Sequence, residues 1–142
     1  MKTVVFAASK GGVGKTTLCA ALSAYAGAQT KKKVAIIDLD PQGSLTGWWN
    51  SREAEYPELI EANAGNLAET LQKAEAAGYA YVFVDTPPGH KKTIEAGISA
   101  ADYIIVPCHP SPVDISGNWD MLLSIEEMGE QLEFVMYRHI SS

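Results

Sequence analysis

The chain has 142 residues, 46% of them hydrophobic and 20% charged, the proportions of an ordinary soluble globular protein, with a length that suits one domain. A formal net charge of −6 argues against a broad basic surface for nucleic acid. No apolar run approaches the roughly 18 residues of a membrane span, and no export signal precedes Met1-Lys2-Thr3, so the expected location is the cytoplasm with Cys19 and Cys108 as reduced thiols.

The predicted elements alternate along the chain. Val4–Ala8 is a short, nearly continuous apolar run, the pattern of a strand buried on both faces of a parallel sheet. Leu18, Ala21, Leu22 and Tyr25 follow at helical spacing. A second strand is predicted over Val34–Ile37. Trp48 and Trp49 suit a short helix or part of a partner surface. Asn66 is placed to cap a helix with Glu69 three positions on, Leu67, Leu71 and Ala74 forming its stripe and Gly78 its end. Tyr81–Val84 is the third strand, Ile94, Ile98 and Ala101 mark a helix, and Tyr103–Val106 is the fourth strand. Met121, Leu122, Ile125 and Met128 mark a last helix closed by Gly129, before a fifth strand at Phe134–Tyr137. Strands alternating with helices define a βαβ series with right-handed crossovers, hence one α/β domain over 1–142 with a mainly parallel sheet and helices on both faces.

Between the first strand and first helix lies Lys10-Gly11-Gly12-Val13-Gly14-Lys15-Thr16-Thr17. It fits the phosphate-binding pattern G-x-x-x-x-G-K-[ST], with Ser9 where the first glycine usually stands. Glycines let successive backbone N–H groups converge on phosphate oxygens, and the following helix adds its positive end. Lys15 is expected to reach the β- and γ-phosphates and the Thr16 hydroxyl to bind Mg²⁺. Asp85 ends an apolar strand and precedes Thr86-Pro87-Pro88-Gly89, the expected place for a Walker B aspartate near the metal. Asp38 and Asp40 end the second strand in Asp38-Leu39-Asp40-Pro41-Gln42-Gly43. Two residues apart on a strand they would point the same way, an arrangement that favours a cation or water shell.

These three motifs, in this order, resemble the ParA/MinD family of deviant Walker A P-loop ATPases, and Pro110-Ser-Pro-Val-Asp114 is similar to a segment of the short ParA-type plasmid partition proteins. The resemblance implies ATP/ADP and Mg²⁺ as ligands, with Lys10, Gly11, Gly12, Val13, Gly14, Lys15, Thr16 and Thr17 around the nucleotide. It also implies an ATP-dependent homodimer in which Lys10 reaches the partner's phosphates, a trans-acting cation of a kind that contributes roughly 10³–10⁵ in rate. Thr16, Asp38 and Asp85 would hold the Mg²⁺ shell, Asp40 would orient the attacking water, Gln42 and Gly43 would belong to a first switch, and Asp85–Gly89 would begin a second. Catalysis would then rest on Lys10, Lys15 and Asp40. The implied activity is weak ATP hydrolysis, stimulated by a partner or adaptor protein, that partitions or positions plasmid or chromosomal DNA or another cargo.

The sequence stops soon after Arg138, where family members continue, so the domain reads as C-terminally truncated, without the asparagine many relatives use for adenine. Lys31–Lys33, Lys91-Lys92 and Arg138 are the candidate basic spots for DNA. No C-terminal amphipathic helix marks a membrane target. His90, His109 and His139 lack metal-ligand spacing. Two other functions compete on these residues: a nucleotide-binding regulatory module with negligible hydrolysis, and a small-molecule kinase. Lys10 and the Asp-Pro-Gln-Gly switch speak against the kinase.

Overall fold

A computed structural model of the chain describes residues 1–109 and 111–128. Within them, β1 (Lys2–Phe6), β2 (Val34–Asp38), β3 (Glu58–Leu59), β4 (Tyr81–Asp85) and β5 (Tyr103–Ile105) form one sheet in the order β3-β2-β4-β1-β5, every neighbouring pair parallel. The helices are α1 (Lys15–Thr30), α2 (Ser44–Asn50), α3 (Leu67–Ala76), α4 (Lys91–Ala100), α5 (Pro112–Gly117) and α6 (Trp119–Glu127).

The near-continuous apolar strands are explained by what covers them. Successive strand residues point to opposite faces. Val5, Ala35, Ile37, Val82 and Val84 pack against Leu67, Leu71 and Ala74 of α3. Their alternates Val4, Phe6, Val34, Ile36 and Phe83 pack against Cys19 and Ala20 of α1 and Leu45 of α2. A third cluster places Ile94, Ile98, Leu122 and Ile125 from α4 and α6 over Ala7, Ile104 and Val106. Each large side chain fully buried here contributes about 1.5–3 kcal/mol. No helix among the described residues is long and apolar enough to cross a membrane.

Three expectations are corrected, and one strand is new. On α1 the buried residues are Lys15, Cys19, Ala20 and Ser23; of the expected stripe Leu18 and Leu22 pack half-buried against that core, while Ala21 is exposed and Tyr25 is 66% exposed. The helix is apolar or small over most of its surface, so several stripes fit its periodicity; the inward turn of Lys15 selects the stripe that continues through Cys19. Asn66 stands at the N-cap of α3 but does not cap it. Its Oδ1 accepts the Asn63 N–H at 2.8 Å, the Asn66 N–H returns to Asn63 Oδ1 at 3.0 Å, and Glu69 pairs with Lys73 at 2.9 Å. The edge strand β3 was not anticipated. β1 ends at Phe6, before Ala7 and Ala8. The strand expected at Phe134–Tyr137, with Gly129, Arg138 and His139, lies outside the described residues.

Candidate nucleotide site

The sheet delivers its functional groups at the C-terminal ends of β1, β2 and β4, the usual side for a ligand in an open α/β sheet. After β1 the chain turns through Ser9–Gly14, with Gly12 at φ 77° and Gly14 at φ 84°, both in the left-handed region where a Cβ is unfavourable. Gly14 leads directly into α1, whose start carries neither a side-chain cap nor an acidic residue in its first turn. Its first N–H groups and positive dipole end are therefore suited to an anion.

Lys15 is 5% exposed, and its Nζ is hydrogen-bonded to Asp85 Oδ1. Thr16 Oγ1 donates to the other carboxylate oxygen at 2.7 Å. Burial pushes the Asp85 carboxyl above its ordinary value, against the opposing pull of the Lys15 charge and the bonds from Lys15 and Thr16. Register explains the convergence, because Asp85 lies opposite Phe6 on one side and Asp38 on the other. The Thr16 hydroxyl and Asp85 carboxylate are hard oxygen donors side by side, the chemistry that Mg²⁺ takes.

Asp38 and Asp40 do not point the same way. β2 ends at Asp38, so strand alternation does not extend to Asp40. Asp38 Oδ2 accepts the Thr46 N–H and Oγ1–H, both at 2.9 Å, Oδ1 accepts the Asp40 N–H at 3.0 Å, and the side chain lines a separate cavity toward Ile60 and Asn63. A carboxylate has about four acceptor positions, so this closed ring leaves roughly one for water or a metal shell. Asp40 instead accepts the Gln42 N–H at 3.0 Å, while its carbonyl takes the Gly43 N–H at 2.9 Å. Asp40 and Gln42 line the same cleft as Lys10–Thr17.

That cleft, of about 860 Å³, runs from the phosphate loop along Ala20, Ala21 and Ala24 of α1 to Trp48 and Arg52, with Pro88 on its wall. The turn after β4 is tied to the loop's base: Thr86 Oγ1 donates to the Phe6 carbonyl at 2.7 Å, and the Gly89 N–H to the Ala8 carbonyl at 3.0 Å. The structure thus gathers Lys10–Thr17 and Asp40 around one cavity, sets Asp85 beneath it, and turns Asp38 aside.

Three contacts escaped the sequence reading, one of them made by His109, which was weighed there only as a metal ligand. Arg52 lies over the Trp48 ring at 4.6 Å, and its Nη1 is buried without an acceptor among the described residues. His109 Nε2 lies 3.3 Å from the Gly12 carbonyl. Asn118, 2% exposed, accepts the Ser9 N–H at 3.1 Å and its hydroxyl at 3.0 Å. A tryptophan followed four positions on by arginine, one helical turn, was the available signal for the first. No local signal marks contacts 97 and 109 residues apart in the chain.

Loop, helix start and buried Lys15–Asp85 pair define a P-loop nucleotide-binding domain. Over residues 4–136 the chain matches the CobQ/CobB/MinD/ParA nucleotide binding domain, and it belongs to that family. It is 40% identical over 110 residues to maintenance of carboxysome distribution protein A of Gloeobacter kilaueensis, covering 75% of this chain and 49% of that protein. With protein ParA of Rhizobium radiobacter it shares 32% identity over 137 residues, 94% of this chain and 60% of the relative. The chain therefore spans about half to three-fifths of these relatives. In fold it is similar to the MinC:MinD cell division protein complex of Aquifex aeolicus, with a TM-score of 0.77 at 23% identity over 99% of this chain and 70% of that one. A plasmid partition protein from Borrelia burgdorferi gives a TM-score of 0.76 at 19% identity, over 99% and 80% of the two chains.

Proposed function

We propose that the chain is the nucleotide-binding part of a ParA-type switch that binds ATP with Mg²⁺, forms a homodimer around it and hydrolyses it to partition or position a cargo. The observation that carries this reading is Lys10 and Asp40 on the walls of the one cleft that Lys15–Thr17 also line. Phosphate would sit on the loop N–H groups and the α1 start, with Lys15 and Thr17 around it. Thr16 and Asp85 would hold Mg²⁺, and Asp38 would contribute through its remaining acceptor position. The metal, when bound, would supply neutralisation of phosphate charge. Asp40, which accepts the Gln42 N–H and lines the cleft, would orient an attacking water. Lys10, at the loop's start, is the cation that would reach across to a second copy.

The relatives' names carry the cargo class: one is named for carboxysome distribution and another is a ParA protein. An adaptor protein that stimulates hydrolysis belongs to this reading. Non-specific DNA contact has less support. Lys31 and Lys32 are exposed in the turn after α1, but Lys33 stacks on Tyr79 at 4.4 Å and donates to the Ala77 carbonyl at 3.2 Å.

Molar mass by light scattering tests the proposal, using Asp40→Ala protein with ADP or with ATP and Mg²⁺. Doubling of mass with ATP alone is expected. A monomer under both conditions refutes the dimer switch for this chain, and equal ADP and ATP affinity without turnover would convert the reading to a regulatory nucleotide-binding module.

A further inference from the structure

Ser9 occupies the position where the phosphate-binding pattern usually begins with glycine. The structure shows why a side chain is useful there. Asn118, buried at the start of α6, takes both the Ser9 N–H and the Ser9 hydroxyl on its Oδ1. Its amide has a defined orientation, since Nδ2 approaches Cys108 Sγ at 3.5 Å while Oδ1 faces the loop. On the opposite side stands the second switch, where a Cβ on Gly89 would lie 2.9 Å from the Ser9 carbonyl oxygen. The segment after β5 touches the loop again at the Gly12 carbonyl, through His109. Ser9 and Gly12 bracket Lys10 and Gly11.

We propose that Asn118 is a positioning residue for Lys10. A lysine carries four rotatable side-chain bonds, and the direction it takes starts from its backbone. Fixing the residue before it by two hydrogen bonds sets where the Lys10 side chain leaves the loop and removes part of the ordering cost of an extended, trans-acting arrangement. The two bonds from Ser9 to Asn118 lie at the residue before Lys10, away from the left-handed glycines Gly12 and Gly14 and the α1 start. Loss of Asn118 therefore acts on Lys10 far more than on nucleotide binding. The assembly part of this inference rests on the dimer reading above; the loop part does not.

The test compares wild type, Asn118→Ala and Asn118→Asp, each with and without Lys10→Ala. Four readouts are taken: amide hydrogen exchange at Ser9, affinity for a fluorescent ADP with Mg²⁺, molar mass with ATP and Mg²⁺, and the melting temperature. Asn118→Ala is expected to speed exchange at Ser9 by about tenfold relative to core strand amides. ADP affinity should stay within about threefold, because the lost bonds do not touch the phosphate cradle. The ATP-driven mass increase should be lost as in Lys10→Ala, with no further loss in the double variant. Asn118→Asp keeps the acceptor oxygens and should restore Ser9 protection and assembly. The proposal is overturned if Ser9 exchange is unchanged in Asn118→Ala. It is equally overturned if ADP affinity and assembly fall together in step with the melting temperature, the behaviour of a residue that merely anchors α6. Should wild type show no ATP-driven mass increase, the dimer reading fails. The Asn118 inference is then decided by Ser9 exchange and by whether ADP affinity is spared.

Discussion

Thr16 Oγ1 lies 2.7 Å from Asp85 Oδ2, while the other oxygen of that carboxylate is taken by Lys15 Nζ. Asp85 is thus the counterion of a buried lysine and the acceptor of the Thr16 hydroxyl. Removing one partner of a buried pair leaves an uncompensated charge, typically at a cost of about 3 kcal/mol or more. Asp85→Ala is accordingly expected to lower nucleotide-free stability by about 3 kcal/mol, and Thr16→Val by about 1 kcal/mol. Urea unfolding midpoints measured at constant m-value check both; unchanged midpoints would mean the pair is not formed in solution.

Lys15→Ala should abolish binding of ATP and ADP alike, whereas Asp40→Ala should keep binding and lose turnover, as expected of a residue that acts on the attacking water rather than on phosphate. Titration with a fluorescent nucleotide and a phosphate-release assay separate the two. Loss of binding in Asp40→Ala would remove its assigned role.

Gly89 sits at φ 70°, and a Cβ there would come within 2.9 Å of a backbone oxygen. That oxygen belongs to the backbone of Ser9, so no flexible side chain can give way. Gly89→Ala is expected to cost about 1–2 kcal/mol from the left-handed conformation alone, and to displace the turn after β4 from Ser9. Calorimetric melting reports the first effect and amide chemical shifts of residues 8–10 the second.

Leu45 is fully buried beneath α2, among Phe6, Ile36 and Phe83. Leu45→Ala should cost about 3 kcal/mol if the cavity persists. If α2 instead detaches, amide protection in residues 44–50 will fall while global stability drops by less. Either outcome measures how firmly α2, which follows Gln42 and Gly43, is anchored to the sheet.

Tyr79 is hydrogen-bonded to Glu58, and its phenol is pushed up to about 12, first by burial and then by that carboxylate. Because the folded value exceeds the unfolded one near 10, the bond's stabilisation is complete below pH 10 and is lost as pH rises toward about 12. Wild type should therefore lose stability over that interval relative to Tyr79→Phe, as followed by chemical denaturation at each pH.

The parallel sheet was legible because Val34–Ile37 and Val82–Val84 are apolar without alternation, which only two-sided burial explains. The phosphate loop was legible because its chemistry is local: glycines, a lysine and a threonine at fixed spacing. β3 was not legible. It is two residues, Glu58 and Leu59, held by pairing with Ala35 and Ile36 rather than by any pattern of its own. The face of α1 was ambiguous for the opposite reason, since an almost uniformly apolar helix supports several stripes. The divergence of Asp38 and Asp40 depended on where β2 stops, and strand ends are set by pairing with β4. Asn118 and His109 reach the loop across folded space, so only coordinates reveal them.

The register Asp38↔Asp85 between β2 and β4 bears on how this chain tolerates change in length. Both acids end strands that are fixed in phase by burial on two faces, so one residue inserted or deleted inside either strand would swap its inward sides and carry the terminal carboxylate off its level. Loops such as residues 51–57 carry no such phase. Length variation among descendants of this sequence is therefore expected to collect in those loops and to spare β2 and β4, independently of how conservative the individual substitutions are.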